Sequence, residues 1–160
     1  MIIEEKTKRK TKVIFVCTGN TCRSPMAEFM FKDYLRAKKR SGDFVVSSAG
    51  LVAQRGDTLN PTADKALDVL GIKHNKDRKA RVFTVQMSQE NDLIIAMTES
   101  HAERCGNGDN VVSFEQLIGT FVGDPYGGSL ADYLDCAALM RSAFDKILAL
   151  CDGLKSNGAR

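Results

Sequence analysis

One stretch, VIFVCTGNTCRSP from Val13 to Pro25, decides the fold. Its four leading apolar residues, mostly β-branched, predict a buried strand. A glycine-containing turn follows, and Ser24 and Pro25 predict a helix start, because serine is a favoured N-cap and proline fits the first helical position. Cys17 is therefore expected at the end of a strand, in a loop whose backbone N–H groups converge at a helix N-terminus. Such a loop binds anions.

Two side chains make this anion site reactive. The partial positive charge of the helix terminus and the Arg23 guanidinium both favour the thiolate of Cys17. Arg23 also has the geometry to bind two oxygens of a tetrahedral oxyanion side by side. The spacing of cysteine, five residues and arginine therefore predicts a loop that wraps a phosphate and directs sulfur at its phosphorus. The alternative is a buried structural cysteine before a helix that carries an arginine.

Length and composition describe a single domain that works in a reducing compartment. The chain has 160 residues, 43% of them hydrophobic, and a net charge of +3, which is too small to indicate a nucleic-acid partner. It has no apolar run of the roughly 18 residues that a membrane span needs, and no signal-peptide core at its start. Five irregularly spaced cysteines argue against disulfides or zinc, and only two histidines argue against a metal centre. We expect a cytoplasmic protein without a membrane partner.

Strands and helices alternate along the chain, which predicts an α/β fold with a parallel sheet and a functional site at the carboxyl ends of the strands. After the opening strand, apolar runs predict three more strands. Ser129 is expected to cap one long final helix that carries an apolar stripe to Cys151. The domain is expected at 12–152, between a basic tail at 1–11 and a short tail at 153–160. The predicted strands after the first are Phe44–Ser48, Asp92–Met97 and Val111–Phe114.

A thiolate that attacks a phosphoryl group needs an acid to protonate the leaving atom. Asp124 is the best candidate, since Pro125 restricts its backbone and the glycines around it let the loop fold over a site. His74 lies in a charged loop and His101 on a helix, and neither has a visible partner in the sequence. For both histidines we expect a surface or capping role.

The segment from Cys17 to Pro25, together with Asp124-Pro125-Tyr126, resembles the low-molecular-weight protein-tyrosine-phosphatase family, and the resemblance extends over residues 12 to about 152. It implies a three-layer sandwich, with a four-stranded parallel twisted sheet and helices on both faces. It also implies metal-free, cofactor-free hydrolysis of phosphorylated proteins through a cysteinyl-phosphate intermediate. Cys17 would be the nucleophile, Arg23 the phosphate ligand, and Asp124 the general acid and then the general base.

The same resemblance gives roles to two more residues of the loop, Asn20 and Ser24, whereas the sequence leaves alternatives open for Leu51 and Tyr126. Asn20 would hold the loop in its unusual turn, and the Ser24 hydroxyl would bond the Cys17 sulfur. Leu51 is either a hydrophobic wall for the substrate or an anchor for its own loop, and Tyr126 is either a substrate contact or a core or rim residue. The full expected substrate-binding set is Thr18, Gly19, Asn20, Thr21, Cys22, Ser24, Leu51 and Tyr126, with no metal ligand.

Finer features favour one branch of that family. Thr21 stands where most tyrosine-directed members have an aliphatic residue, and together with Met97-Thr98 and the glycines after Tyr126 it is similar to the protein-arginine-phosphatase branch. Thr21 would exchange apolar contact with a phenol ring for polar contact with a guanidinium; the alternative is a neutral size match within an ordinary tyrosine phosphatase. Arg78 occupies the place of a histidine that often braces the phosphate loop.

Two rival functions use the same loop. A thioredoxin-linked arsenate reductase needs a closely spaced resolving cysteine pair after the third strand, where this chain has only Cys105. A non-catalytic phosphoresidue-binding module would not need nucleophile, arginine and acid together. Separately, Cys22 lies in the loop with Cys17, and we hypothesise that a reversible disulfide between them protects the nucleophile from irreversible oxidation. A monomer is expected.

Overall fold

The computed structural model describes residues 9–106 and 108–156, the last two by their backbone only. Four strands alternate with seven helices over these residues, as an α/β protein requires. The strands are β1 Thr11–Cys17, β2 Phe44–Gly50, β3 Leu93–Ala96 and β4 Val111–Ser113, and the helices are α1 Arg23–Ala37, α2 Pro61–Val69, α3 Val85–Glu90, α4 Glu99–Arg104, α5 Phe114–Ile118, α6 Leu130–Arg141 and α7 Phe144–Ser156.

The four strands form one parallel sheet in the order β2-β1-β3-β4, which confirms the predicted fold class. The chain winds from β1 outward to β2 and then crosses to β3 on the other side of β1. A crevice opens at such a switch point, outside the carboxyl ends of the strands. Cys17 is the last residue of β1 and pairs with Gly50, the last residue of β2. The topology therefore places the reactive loop at the crevice.

Strand β1 is buried on both faces, and its side chains alternate between two hydrophobic clusters. Val13 and Phe15 belong to a large cluster with residues of α1, α6 and α7, whereas Ile14 and Val16 belong to a smaller one that includes Cys105 after α4. This alternation follows from the two-residue period of a strand. Helices therefore cover both faces of the sheet, giving the expected three-layer sandwich.

The final helical region differs from its prediction, because it is two helices and not one. The Ser142 amide ends α6 by donating to carbonyls of its last turn, and the Ser142 hydroxyl donates to Leu139 O at 2.6 Å. Serine competes for backbone hydrogen bonds in this way and so weakens a helix interior. After the break, Phe144 begins α7 and packs edge-on against Phe31 of α1, with ring centroids 5.1 Å apart. Apolar periodicity alone did not reveal the change of direction.

At both ends of the described chain, secondary structure extends slightly past the domain bounds expected from sequence. Strand β1 begins at Thr11, and ahead of it Arg9 donates to both carboxylate oxygens of Asp92, at 2.7 and 3.2 Å. Asp92 also accepts from the Lys12 amide at 2.8 Å, so these contacts fix the chain before residue 12. Helix α7 likewise continues to Ser156. The remainder of the expected tails, 1–8 and 157–160, lies outside the described residues.

None of the helices in the described ranges is both long and apolar enough to cross a membrane.

Candidate active site

The loop between β1 and α1 surrounds a small pocket of about 170 Å³ at the carboxyl edge of the sheet. This is where the sequence placed the site. The loop from Cys17 to Arg23 supplies most of the lining, and Asp124 and Tyr126 reach it from a segment about a hundred residues later. The lining residues are Cys17, Thr18, Gly19, Asn20, Thr21, Cys22, Arg23, Asp124 and Tyr126.

The Cys17 sulfur lies at the base of the loop and is held by two donors. Cys17 is only 2% exposed. The Asn20 amide donates to Cys17 Sγ at 3.3 Å, and the Ser24 hydroxyl lies 2.9 Å from the same sulfur. The Ser24 oxygen also accepts from Asn20 Nδ2 at 2.8 Å, which leaves its proton for the sulfur, the nearer of two acceptors. Donors of this kind stabilise a thiolate.

Ser24 does not cap α1 as the sequence predicted. The helix begins two residues earlier than a Ser24 cap predicts, at Arg23, and its N-cap is Cys22, which makes no side-chain capping bond. Ser24 thus lies inside the first turn, where its hydroxyl bonds the Cys17 sulfur and not a helical amide. Local pattern favours serine as a cap. Here the loop closes around the Cys17 sulfur, α1 starts closer to the N-terminus, and the Ser24 hydroxyl faces the sulfur.

Four carbonyl groups of the loop point away from the pocket, because each of the four accepts a hydrogen bond from outside the loop. In a planar trans peptide the next N–H points the opposite way. The amides that follow these carbonyls therefore face the pocket and present donors to an anion, as at a backbone nest. The outside bonds run from Leu51 N to Cys17 O, from Val52 N to Thr18 O, from Asn60 N to Thr21 O and from Arg78 Nη1 to Asn20 O, at 2.9 to 3.0 Å.

Gly50 allows β2 to approach this loop closely. A Cβ at this position would lie 2.5 Å from Thr18 O and 2.9 Å from Asn20 N, distances that side chains do not tolerate. The carbonyl and amide of Gly50 also bond the segment that carries Arg81 and Phe83. Glycine is required here for contact between backbones and not for a special turn.

Arg78 braces the loop from behind, which confirms that it occupies the bracing place. Asn20 adopts a left-handed backbone, with φ 57°, and Arg78 donates to its carbonyl at 2.9 Å and to its Oδ1 at 2.7 Å. A third donor, the Arg81 amide, meets the same Oδ1 at 2.9 Å. Burial lowers the pKa of Arg78, but a guanidinium stays charged at neutral pH. The brace is a permanent cation close behind the anion site.

Arg23 and Asp124 face each other across the pocket. The Arg23 side chain is 6% exposed and donates from Nη1 to the Val122 carbonyl at 2.9 Å, which leaves Nη2 3.9 Å from Asp124 Oδ2. The Asp124 side chain is 55% exposed, and its Oδ1 accepts from the Tyr126 amide at 3.1 Å. A carboxyl held at the mouth of an anion pocket is well placed to exchange a proton with a leaving group.

His101 contacts the loop, which the sequence analysis missed. Its Nε2 lies 2.8 Å from Thr18 Oγ1, and its Nδ1 lies 3.0 Å from Oγ1 of Thr98, the N-cap of α4. The available signal was that Thr98 ends the segment after β3, the strand beside β1. A residue one turn into α4 therefore lies near the loop after β1. His101 is buried, not a surface residue. The His74 side chain is also buried, only 2% exposed, but it lies away from the loop, where its Nε2 is 2.6 Å from Asp64 Oδ1.

The remaining predicted contacts divide between the pocket and its support. Tyr126 lines the rim and is 73% exposed. Leu51 is not among the lining residues; it packs on the smaller hydrophobic cluster, and its amide holds the Cys17 carbonyl, so it is placed as a loop anchor. Thr21 lines the pocket, with Oγ1 3.9 Å from Cys22 Sγ.

The other cysteines are buried thiols. Burial raises the pKa of Cys22, whose sulfur lies 3.5 Å from the Tyr133 hydroxyl. Burial also raises the pKa of Cys105 to about 11 and that of Cys136 to about 12. Thiols as basic as those of Cys105 and Cys136 are poor attacking groups in disulfide exchange. These positions therefore do not support a resolving pair for arsenate reduction.

Comparison with known proteins gives one consistent result. The family model described as low molecular weight phosphotyrosine protein phosphatase matches residues 12–158. Relatives include the low molecular weight protein-tyrosine-phosphatase PtpB of Staphylococcus haemolyticus, 32% identical over 91% of this chain and 99% of that protein. They also include the protein-arginine-phosphatase of Bacillus subtilis, 35% identical over 76% of this chain and 83% of that protein.

A solved structure of the YwlE arginine phosphatase, a mutant with a phosphorylated active-site serine, matches with a TM-score of 0.76 at 32% identity. The match covers 91% of this chain and 96% of the other. Tyrosine-directed and arginine-directed relatives are thus similar to this chain to about the same degree.

Proposed function

This chain belongs to the low-molecular-weight phosphotyrosine protein phosphatase family and is a cysteine-dependent protein phosphatase, and we propose that it prefers phosphoarginine to phosphotyrosine. The observation that carries this preference is the Thr21 hydroxyl in the wall of the pocket. Its contact to the Cys22 sulfur is long, at 3.9 Å, so the hydroxyl remains able to bond a substrate. A guanidinium offers N–H donors to that oxygen, whereas a phenol ring offers an apolar surface.

In the first step, the Cys17 thiolate attacks phosphorus. A sulfur–phosphorus bond forms as the bond from phosphorus to the leaving nitrogen breaks, and the Asp124 carboxylic acid gives its proton to that nitrogen. Arg23 and the inward-facing amides bind the phosphoryl oxygens, on which charge accumulates in the transition state. This preorganised charge stabilisation supplies most of the rate enhancement.

In the second step, water hydrolyses the cysteinyl phosphate. The Asp124 carboxylate takes a proton from the water as its oxygen bonds phosphorus, the sulfur–phosphorus bond breaks, and inorganic phosphate leaves. The Ser24 hydroxyl, 2.9 Å from Sγ, stabilises the departing thiolate. The sulfur must stay reduced for each cycle, so we place the enzyme in a reducing compartment, the cytoplasm.

Substrate preference is tested with phosphoarginine and phosphotyrosine peptides, without metal, on the wild type, Thr21→Val and Cys17→Ser. The wild type should have the higher kcat/KM on phosphoarginine, and Cys17→Ser should have no activity. Thr21→Val keeps the size of the side chain but removes the hydroxyl. It should lower kcat/KM on phosphoarginine about 10-fold, the value of one hydrogen bond to a charged group, and leave phosphotyrosine turnover unchanged. Faster phosphotyrosine turnover by the wild type would contradict the proposed preference.

The second candidate function is an ordinary phosphotyrosine phosphatase, which one specific feature favours. The ring of Tyr126 stands exposed at the pocket rim, where it can pack against the phenol of a substrate. Tyr126→Ala should then lower kcat/KM on phosphotyrosine much more than on phosphoarginine. If both rates fall equally, the ring has no selective role.

The role of Asp124 is tested by leaving-group dependence. Asp124→Asn should lower kcat on phosphopeptides by about 100-fold or more, because proton transfer contributes roughly that factor. An activated aryl phosphate needs no protonation of its leaving group, so its first step should be far less affected. Equal losses on both substrates would reject Asp124 as the acid.

One chain supplies nucleophile, arginine and acid to the same pocket. We therefore propose that the enzyme acts on phosphorylated proteins as a monomer. Specific activity should then be constant across dilutions over which sedimentation reports a single monomeric species. Activity that falls on dilution would contradict this.

A further inference from the structure

A short hydrogen-bonded line connects α4 to the first side chain of the phosphate loop. The Thr98 hydroxyl lies 3.0 Å from His101 Nδ1, and the opposite ring nitrogen, Nε2, lies 2.8 Å from the Thr18 hydroxyl. Thr98 Oγ1 also accepts from the His101 amide at 3.1 Å, so the cap fixes both the backbone and the ring of His101. Thr18 directly follows Cys17, lines the pocket and is exposed at its mouth.

We propose that His101 is a positioning residue that donates from Nε2–H to Thr18 Oγ1 and thereby directs the Thr18 hydroxyl proton toward the phosphoryl group in the pocket. The proposal rests on the proposed function only in taking a phosphoryl group as the ligand. The Thr18 hydroxyl is then a second side-chain donor at the pocket, besides Arg23. Its direction is set by a residue of α4, whereas Arg23 belongs to α1.

Counting protons selects this arrangement over the other tautomer. Thr98 Oγ1 accepts the His101 amide and has one proton of its own to give. If that proton goes to Nδ1, then Nε2 carries the ring proton and donates to Thr18, and every group on the line is satisfied. With the ring proton on Nδ1 instead, Thr98 would accept twice, its own proton would find no acceptor on the line, and Thr18 would spend its proton on His101.

The charge state of His101 fits this role. Burial, followed by the neighbouring cations of Arg23 and Arg104, lowers the pKa of His101 below its ordinary value. Asp124 acts in the opposite direction but is the smallest of the four influences. The imidazole is therefore neutral near pH 7 and has one donor and one acceptor nitrogen. A neutral ring that accepts from the Thr98 hydroxyl and donates to the Thr18 hydroxyl fixes which way Thr18 donates, and it adds no charge to the site.

The hydrogen bond between His101 and Thr18, which joins residues 83 positions apart in the chain, should raise the rate of turnover. The Thr18 hydroxyl, once oriented, needs no reorganisation when charge builds up on the phosphoryl oxygens. Preorganised donors of this kind bind the transition state more strongly than a hydroxyl that must first rotate. We therefore expect the effect of His101 to pass through Thr18.

A double-mutant cycle on the full chain tests this dependence, with Thr18→Val, His101→Phe and the double variant. Two quantities are measured: the equilibrium affinity for inorganic phosphate, and kcat/KM on the preferred phosphopeptide. Each single variant should weaken phosphate binding and lower kcat/KM about 10-fold, as expected for one hydrogen bond to an anion. The double variant should be no worse than Thr18→Val alone, and Thr18→Ser should restore wild-type values.

Losses that multiply to about 100-fold in the double variant would show that His101 acts independently of Thr18 and would overturn the proposal. Unchanged phosphate affinity in Thr18→Val would overturn it as well. If His101→Phe does not fold, nitrogen-15 NMR of the wild-type histidine decides. A protonated Nε2 and an unprotonated Nδ1 are expected for His101, and the reverse would refute the proposal.

The phosphate-binding arm separates this inference from the proposed function. If neither phosphopeptide is hydrolysed but phosphate affinity follows the expected cycle, the proposed function fails and the role of His101 stands. If hydrolysis depends on Cys17 but the cycle is additive, the proposed function stands and the role of His101 fails.

Discussion

Arg78→Met should separate the brace of the phosphate loop from the loop itself. Arg78 donates at 2.9 Å to the Asn20 carbonyl and at 2.7 Å to Asn20 Oδ1, and methionine keeps the aliphatic stem while removing both donors. Arg78→Lys keeps the charge but not the paired geometry, because an ammonium is a point charge without the planar fork. Lys79→Met is the matched control, since it removes an exposed neighbouring cation.

The expected loss follows from the contacts. Hydrogen bonds to charged groups contribute about 1.5–3 kcal/mol each, so the two bonds to Asn20 contribute at most about 6 kcal/mol. A third bond, from Arg78 Nη2 to Ser48 Oγ, is long at 3.4 Å and adds little. Asn20 Oδ1 keeps the Arg81 amide as a donor. Asn20 itself is buried, but methionine vacates the space of the guanidinium at the half-buried position 78, and water that enters this space can bond the Asn20 carbonyl. We therefore expect the free energy of unfolding to fall by about 2 kcal/mol.

Activity should fall because Asn20 has a left-handed backbone that other residues must hold in place. Such a conformation costs about 1–3 kcal/mol. If the brace supplies about 2 kcal/mol of that support, its removal lowers the population of the binding-competent loop, and with it kcat/KM, by about 30-fold. Arg78→Lys should lie between Arg78→Met and the wild type.

The assay is kcat/KM on the preferred phosphopeptide, with unfolding in urea measured on the same preparations. Lys79→Met should match the wild type in both. Wild-type kcat/KM in Arg78→Met would refute the brace. Equal losses in Arg78→Met and Lys79→Met would assign the effect to net positive charge and not to the contacts with Asn20.

Three further predictions follow from other contacts. Gly50→Ala should abolish activity and lower stability by several kcal/mol, because its Cβ would meet loop backbone at 2.5 Å; a folded and active variant in circular dichroism and peptide assays would contradict this. After inactivation by peroxide, wild type should recover with thiol better than Cys22→Ser if Cys22 protects Cys17 as a disulfide partner, and equal recovery would reject that role. The pKa of the Asp64 carboxyl is lowered from its ordinary value of 3.8, chiefly by the hydrogen bond from Lys76. The ionised carboxylate therefore stabilises the fold at pH values above 3.8, and this stabilisation is lost as the pH falls through the lower pKa of the folded state. Between pH 7 and pH 3, the free energy of unfolding in urea should therefore fall less for Asp64→Asn than for wild type. Equal falls in the two proteins would be inconsistent with this linkage.

The sequence by itself determined the features of this protein that depend on residues close together in the chain. Residues 13–25 predicted a strand, a loop and a helix because strand propensity, a glycine turn and a terminal proline act within a few residues of each other. The start of α2 is local in the same way: the Asn60 side chain accepts from the amides of Thr62 and Ala63, and Pro61 is the first helical residue. The spacing of Cys17 and Arg23 likewise predicted that the proposed nucleophile and the proposed phosphate ligand lie in one loop, and both line the same pocket.

Tertiary structure decided everything that depends on which distant segments meet. Ser24 lost its expected capping role because the loop closes on the Cys17 sulfur, and Leu51 became an anchor because the sheet register brings its amide to the Cys17 carbonyl.

The sequence could at most place His101 near the loop after β1, and its bond to Thr18, 83 residues away, depends on the pairing of β1 with β3. A side chain's own neighbours along the chain fix its backbone conformation, but the direction of its hydrogen bonds is set by the partners that folding supplies.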